Sequence, residues 1–170
     1  MMKIRPASAD DLPAITAIYN EAIRTTTATF DTIEKTPEQQ AAWFATHDER
    51  HPVIVADVDG RVAGWGSLSP WSDRCAYADT AETSFYVKEE HRGRGVGRAL
   101  KLAIMAEGRR LGFHTLIARA AEGSDASLHL NLACGFVHVG TLKEVGRKFG
   151  KLLDVHVMQY MVPDESPNPK

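Results

Sequence analysis

The chain has 170 residues, 44% hydrophobic and 25% charged, which suits one globular domain with a real core and leaves no room for two. Twenty Lys and Arg against 22 Asp and Glu give a formal net charge of −2, excluding a broadly basic binder of nucleic acid or of a membrane surface. No apolar run approaches the roughly 18 residues of a membrane helix, and the opening MMKIRPASADD turns polar too early for a signal peptide.

Residues 2–5 form the first predicted strand. A helix follows over about 10–25, with Leu12, Ile15, Ile18, Tyr19 and Ala22 three and four apart. Asp10 is its expected N-cap, because that start places Pro13 in the first turn, whereas Ser8 would push the proline deeper. Thr36-Pro37-Glu38 opens a second helix to about Thr46, with Trp43 and Phe44 towards the core. Strands at 52–58 and 61–68 flank Asp59-Gly60, a hairpin turn signal, and a further strand covers 80–87. A helix over 97–111 ends at Gly112, a natural left-handed cap. A strand at 115–120, a short helix at 124–133, and strands at 136–140 and 154–161 complete a domain spanning 1–162. The remaining PDESPNPK, residues 163–170, has three prolines and no large apolar side chain, and reads as a disordered tail. Antiparallel hairpin strands feeding a βαβ unit indicate a mixed α/β sheet.

The most informative stretch is VKEEHRGRGVGRAL, residues 87–100, where a strand passes through Arg92-Gly93-Arg94-Gly95-Val96-Gly97 straight into a helix. Glycines let backbone approach a bulky anion and free N–H groups to point at it, and the helix N-terminus adds its positive end. Lys88, Arg92, Arg94, Arg98 and Lys101 against Glu89 and Glu90 make the turn locally cationic, so a phosphate or pyrophosphate is the expected guest. A P-loop needs Gly-Lys-Ser/Thr, but Arg98 and Ala99 follow Gly97. A dinucleotide fingerprint needs a glycine at position 98 or 100, which hold Arg and Leu. Arg92, Gly95 and Gly97 instead match the Arg/Gln-x-x-Gly-x-Gly/Ala pattern, and in this the chain resembles the GNAT superfamily of N-acetyltransferases. The resemblance implies a central, mostly antiparallel sheet of six or seven strands, splayed where acyl-CoA binds and flanked by about four helices.

Four further segments narrow the likeness: IYNEAIRTTTATFD, the run from Trp71 to Tyr77, Glu82-x-Ser84-x-Tyr86-Val87, and KFGKLLDV. Together they resemble the phosphinothricin and methionine sulfoximine acetyltransferase family. That resemblance implies acetyl transfer from acetyl-CoA to the amino group of a small amino-acid analogue, by a protein that is commonly a homodimer. Other amine acceptors (a polyamine, a xenobiotic amine, a peptide N-terminus) and a non-catalytic acyl-CoA-binding module are the rival readings. The sequence departs from the family at Ser72, where Arg or Lys often follows the tryptophan. It departs again at Ser124, Ser127 and Asn131, where Asn-x-x-Ser and then a histidine are usual.

Amide formation from a thioester needs a base for the amine, donors for the developing oxyanion, and a thiolate able to leave. Glu82 is the candidate base through the family match, a solvated strand carboxylate being its alternative reading. The backbone of Phe85, Tyr86 and Val87 is expected to bulge and spare a donor for the oxyanion, and to pair with the pantetheine amides. Ser124 and Ser127, with Arg92 to Arg98, complete the expected cofactor contacts. A thiol titrates near 8.5, so a dedicated acid helps its departure without being essential, which makes Asn131 tolerable. On the substrate side stand Phe30, Trp71, Arg74, whose fork suits a carboxylate, and Asp154, which either binds substrate or organises the last strand and a dimer contact. Seven scattered histidines lack a helical metal spacing, so no metal is expected. Cys75 and Cys134 form no CxxC, which argues for a reducing cytoplasm, and neither has a companion base; direct transfer in a ternary complex is preferred over an acyl-cysteine.

Overall fold

A computed structural model describes residues 1–163. The expected tail therefore lies outside the described residues except for Pro163. The element order is β1 (Met2–Pro6), α1 (Leu12–Thr25), α2 (Pro37–Ala45), β2 (Val53–Val58), β3 (Arg61–Pro70), β4 (Thr80–Val87), α3 (Val96–Arg110), β5 (Thr115–Ala121), α4 (Asp125–Ala133), β6 (Val137–Lys148) and β7 (Lys151–Met161). Seven strands make one sheet in the order β1-β2-β3-β4-β5-β7-β6, antiparallel throughout except between β4 and β5.

Strand alternation sends side chains to two cores. On one face α1 and α2 bury Ile15, Ile18, Val53, Val55 and Trp65, with Tyr19, Trp43 and Tyr86 packed against them. On the other, Leu100 and Ile104 of α3 meet Leu68, Ala81, Leu116, Phe136 and Met158. Each fully buried Val, Leu, Ile, Met or Phe side chain among them contributes about 1.5–3 kcal/mol. No helix is long and apolar enough to cross a membrane, among the described residues.

Two expectations are corrected. The first helix does not begin at Asp10: a 3-10 turn, Ala9–Asp11, precedes α1, and Pro13 still falls in the first turn of the helix. Asp11, not Asp10, organises this start, accepting from the Ser8 N–H at 2.8 Å and from Arg5 at 2.8 and 2.9 Å. The second correction concerns the C-terminal strands. What reads as two short strands is a long hairpin, β6 and β7, turning at Phe149 and Gly150 with positive φ of 50° and 74°. Register shifts at residues 138–140 and 142–146 break the alternation that a strand pattern relies on.

The Arg5 guanidinium holds the Asp11 carboxyl down at about 2, against an ordinary 3.8. A depressed carboxyl stabilises the fold above its unfolded value and loses that contribution as pH falls through the folded value. Acid titration followed by circular dichroism is therefore expected to show about 2 kcal/mol lost between roughly pH 4 and pH 2, and Asp11→Asn to remove that component.

Candidate active site

The site arises where the parallel pair fails to continue. β4 and β5 pair only at Thr80↔Thr115, Ala81↔Leu116 and Glu82↔Ile117, and then part. The Lys88 N–H donates to the Ala63 carbonyl, so by antiparallel alternation the N–H groups of Phe85 and Val87 turn away from β3 into the gap. The expected bulge is absent: β4 keeps unbroken register with β3 from Val87 to Ala81. Departure of β5 supplies the spare donors instead.

A cleft of about 940 Å³ runs through this gap. At one end stands the glycine turn, with Gly93 and Gly95 at φ of 70° and 84° and open space where a Cβ would project. Gly95 is the N-cap of α3, with no side-chain cap, so the first N–H groups of the helix are left to a ligand. Gly97 lets the helix start lie against Phe85 and Leu130. Arg98, Ser124 and Ser127 also line the cleft. Arg92 lines it too, but its Nε donates to the Val87 carbonyl at 3.1 Å and its Nη2 faces Glu21 at 3.4 Å, so it braces the turn. Arg94 and Val96 are outside the lining, Val96 being buried in the core and Arg94 exposed.

Glu82 lies at the fork, on the face occupied by α1. Arg119 of β5, a residue pattern reading passes over, grips it with Nε to Oε1 at 2.6 Å and Nη2 to Oε2 at 2.9 Å. The Trp71 ring lies 5.9 Å from the Arg119 guanidinium carbon, outside the cleft lining. Beside them the Tyr19 hydroxyl donates to Asp31 at 2.6 Å, and Asp31 also meets Lys35 at 3.1 Å. Burial pushes the Tyr86 phenol up to about 12, so it stays protonated.

Phe30 lines the cleft and packs on Gly146 of the β6–β7 hairpin, where even a methyl group would meet its ring at 2.1 Å. Arg74 is the exposed N-cap of the 3-10 turn Cys75–Tyr77 and does not line the cleft. Asp154 is also outside it: its carboxylate binds Lys143 and accepts from the Glu144 N–H at 2.9 Å, which favours the organising role within the hairpin. No group of three metal-ligating side chains occurs among the described residues.

A parted parallel pair, a glycine-capped helix start and a carboxylate at the fork are the features that the resemblance to acyl-CoA-dependent transferases implies. Comparison with known proteins agrees. The acetyltransferase (GNAT) family profile matches residues 15–136, and the chain belongs to that family. It is 40% identical over 158 residues to a phosphinothricin N-acetyltransferase of Alcaligenes faecalis, covering 92% of this chain and 80% of that one. It is 37% identical to an L-methionine sulfoximine/L-methionine sulfone acetyltransferase of Pseudomonas aeruginosa, covering 92% of each. A phosphinothricin acetyltransferase from Sinorhizobium meliloti, solved in complex with AcCoA, superposes with a TM-score of 0.92 at 32% identity, over 99% of this chain and 96% of that one. The protein is thus an N-acetyltransferase with acetyl-CoA as acyl donor. The open cradle at Gly93 and Gly95 fits the pyrophosphate of that donor.

Proposed function

We propose that the protein acetylates the primary amine of a small amino-acid-like substrate of the phosphinothricin, methionine sulfoximine or methionine sulfone type, by direct transfer in a ternary complex. The observation that carries this is the cleft passing through the sheet, with Glu82 and Arg119 on the α1 face and the glycine turn on the α3 side. The two reactants then approach the gap from opposite faces and meet there. Neither cysteine lines the cleft, which favours transfer without an acyl-cysteine.

Glu82 serves as base, directly or through a held water, with Arg119 fixing the carboxylate plane. The Phe85 and Val87 N–H groups serve the pantetheine amides and the oxyanion. Arg119 keeps Nη1 for a substrate carboxylate, a role that falls to it because it lines the cleft and Arg74 does not. Phe30 walls the acceptor side.

Exposed Val137, Val139, Leu142, Val145, Phe149 and Leu152 on the edge hairpin support a homodimer, for which light scattering at twice the chain mass is the expected reading. Free thiols and the acetyl-CoA requirement favour the cytoplasm. A thiol-release screen with acetyl-CoA tests the acceptor class. Turnover on methionine sulfoximine, methionine sulfone or phosphinothricin well above that on polyamines and peptides is expected. The reverse order would replace the substrate, and no release with any amine would leave a binding module.

A further inference from the structure

Lys101 belongs by sequence to the cationic glycine turn, yet the structure takes it out of solvent. One turn into α3, it is 1% exposed, and its Nζ donates to Thr83 Oγ1 at 2.8 Å. The same nitrogen sits 3.8 Å from the centre of the Phe136 ring. A buried lysine is costly unless its charge has work to do, and no carboxylate pairs with it among the described residues. Burial lowers its titration from 10.5 to about 7, and the ionisable group acting on it is the Cys134 thiol.

Its position is specific. Thr83 is the first β4 residue beyond the last β4–β5 pair, and its hydroxyl donates across the fork to the Ile117 carbonyl at 3.3 Å. Lys101, Thr83 and Asn131 all line the cleft at this fork. Glu82, the residue before Thr83, and its partner Arg119 lie on the opposite sheet face and are satisfied by each other. Asn131 is 1% exposed with its Oδ1 lacking any partner, an independent sign that a polar ligand group comes here. A pantetheine arm entering along Phe85 and Val87 brings its sulfur to this point, because each strand residue advances about 3.3 Å and Glu82 is where the acceptor waits.

We propose that Lys101 is a catalytic residue, the proton donor to the departing thiolate, placed on α3 and not at Asn131 on α4. As an ammonium it has three N–H donors, of which Thr83 and the Phe136 ring engage two. The third meets the sulfur. As the C–S bond breaks, its electron pair goes to sulfur, which takes this proton, and Nζ is left as a neutral amine. Glu82 takes the proton from the substrate amine and passes it to solvent, and water reprotonates Nζ, so the cycle balances.

This role rests on the acetyl-CoA reading of the cleft, and the test separates the two. Bound CoA is titrated by its thiolate ultraviolet absorbance in the wild type and in Lys101→Met, which keeps the buried aliphatic volume. The wild type is expected to bring the thiol at least one unit below the ordinary value of about 8.5, and the variant to return it to that value or above. In steady state, Lys101→Met is expected to lose about 10–100-fold in kcat with KM for acetyl-CoA little changed. Thermal melting of the variant with and without CoA confirms that it folds. CoA binding with the same thiol titration in both proteins would overturn the Lys101 role alone, whereas no CoA binding to the wild type would overturn the reading of the cleft and this role with it.

Discussion

Glu82→Gln is expected to lower turnover by about 10²–10³-fold while acetyl-CoA affinity stays within about twofold. The substitution keeps the side-chain shape and one oxygen for Arg119, and removes the charge and the proton-accepting lone pair. Loss of fold is not the cause to be expected, since the Arg119 side chain is 53% exposed and an ion pair so placed contributes little to stability. The donor site is untouched, because Glu82 lies on the α1 face while the glycine turn opens the α3 helix. Stopped-assay thiol release with saturating amine gives kcat, and calorimetric titration with acetyl-CoA gives the affinity. Activity within threefold of wild type would remove Glu82 from the base role and leave it as the anchor of Arg119.

How much of this site is legible in the sequence depends on whether a feature is local. The glycine turn is: residues 93 and 95 adopt left-handed backbone that side chains resist, immediately before a helix, so type and spacing carry the meaning. The strand delivering Glu82 is equally plain, because 80–87 has the pattern of a strand and spans the same residues in the structure. Arg119 is different. Its partner is 37 residues away, and only the divergence of β4 and β5 brings the two together. Lys101 misleads for a related reason: a lysine on an amphipathic helix reads as solvated, and its burial depends on residues distant in sequence, such as Phe136 just beyond α4. The hairpin β6–β7 is obscured by its own irregularity, with two register shifts and Glu144 at a φ of 53°. Its consequence reaches the site, since Gly146 makes the surface on which the Phe30 ring rests.

Gly95→Val is expected to weaken acetyl-CoA binding by about 100-fold or more, and activity with it, at modest cost to the fold. The cause is conformational. An added Cβ at Gly95 meets nothing within 4 Å of the protein, so crowding by the protein itself is not at issue. The backbone, however, holds φ at 84°, a region that a β-branched residue adopts only at a cost of about 1–3 kcal/mol. The chain can relieve that strain by turning the peptide, which re-aims the first N–H groups of α3 away from the pyrophosphate. Keeping the native turn instead leaves an isopropyl group projecting into the space the anion needs. Either response damages the donor site, and the exposed turn lets the helix core of Leu100 and Ile104 remain packed. Calorimetry with acetyl-CoA measures the loss, and a melting temperature within several degrees of wild type separates it from unfolding. Gly97→Ala is the matched control: its Cβ meets Phe85 and Leu130 at 3.4 and 3.6 Å, ordinary contact, and φ there is not positive. Equal acetyl-CoA affinity for wild type and Gly95→Val would contradict a pyrophosphate site at this helix N-terminus.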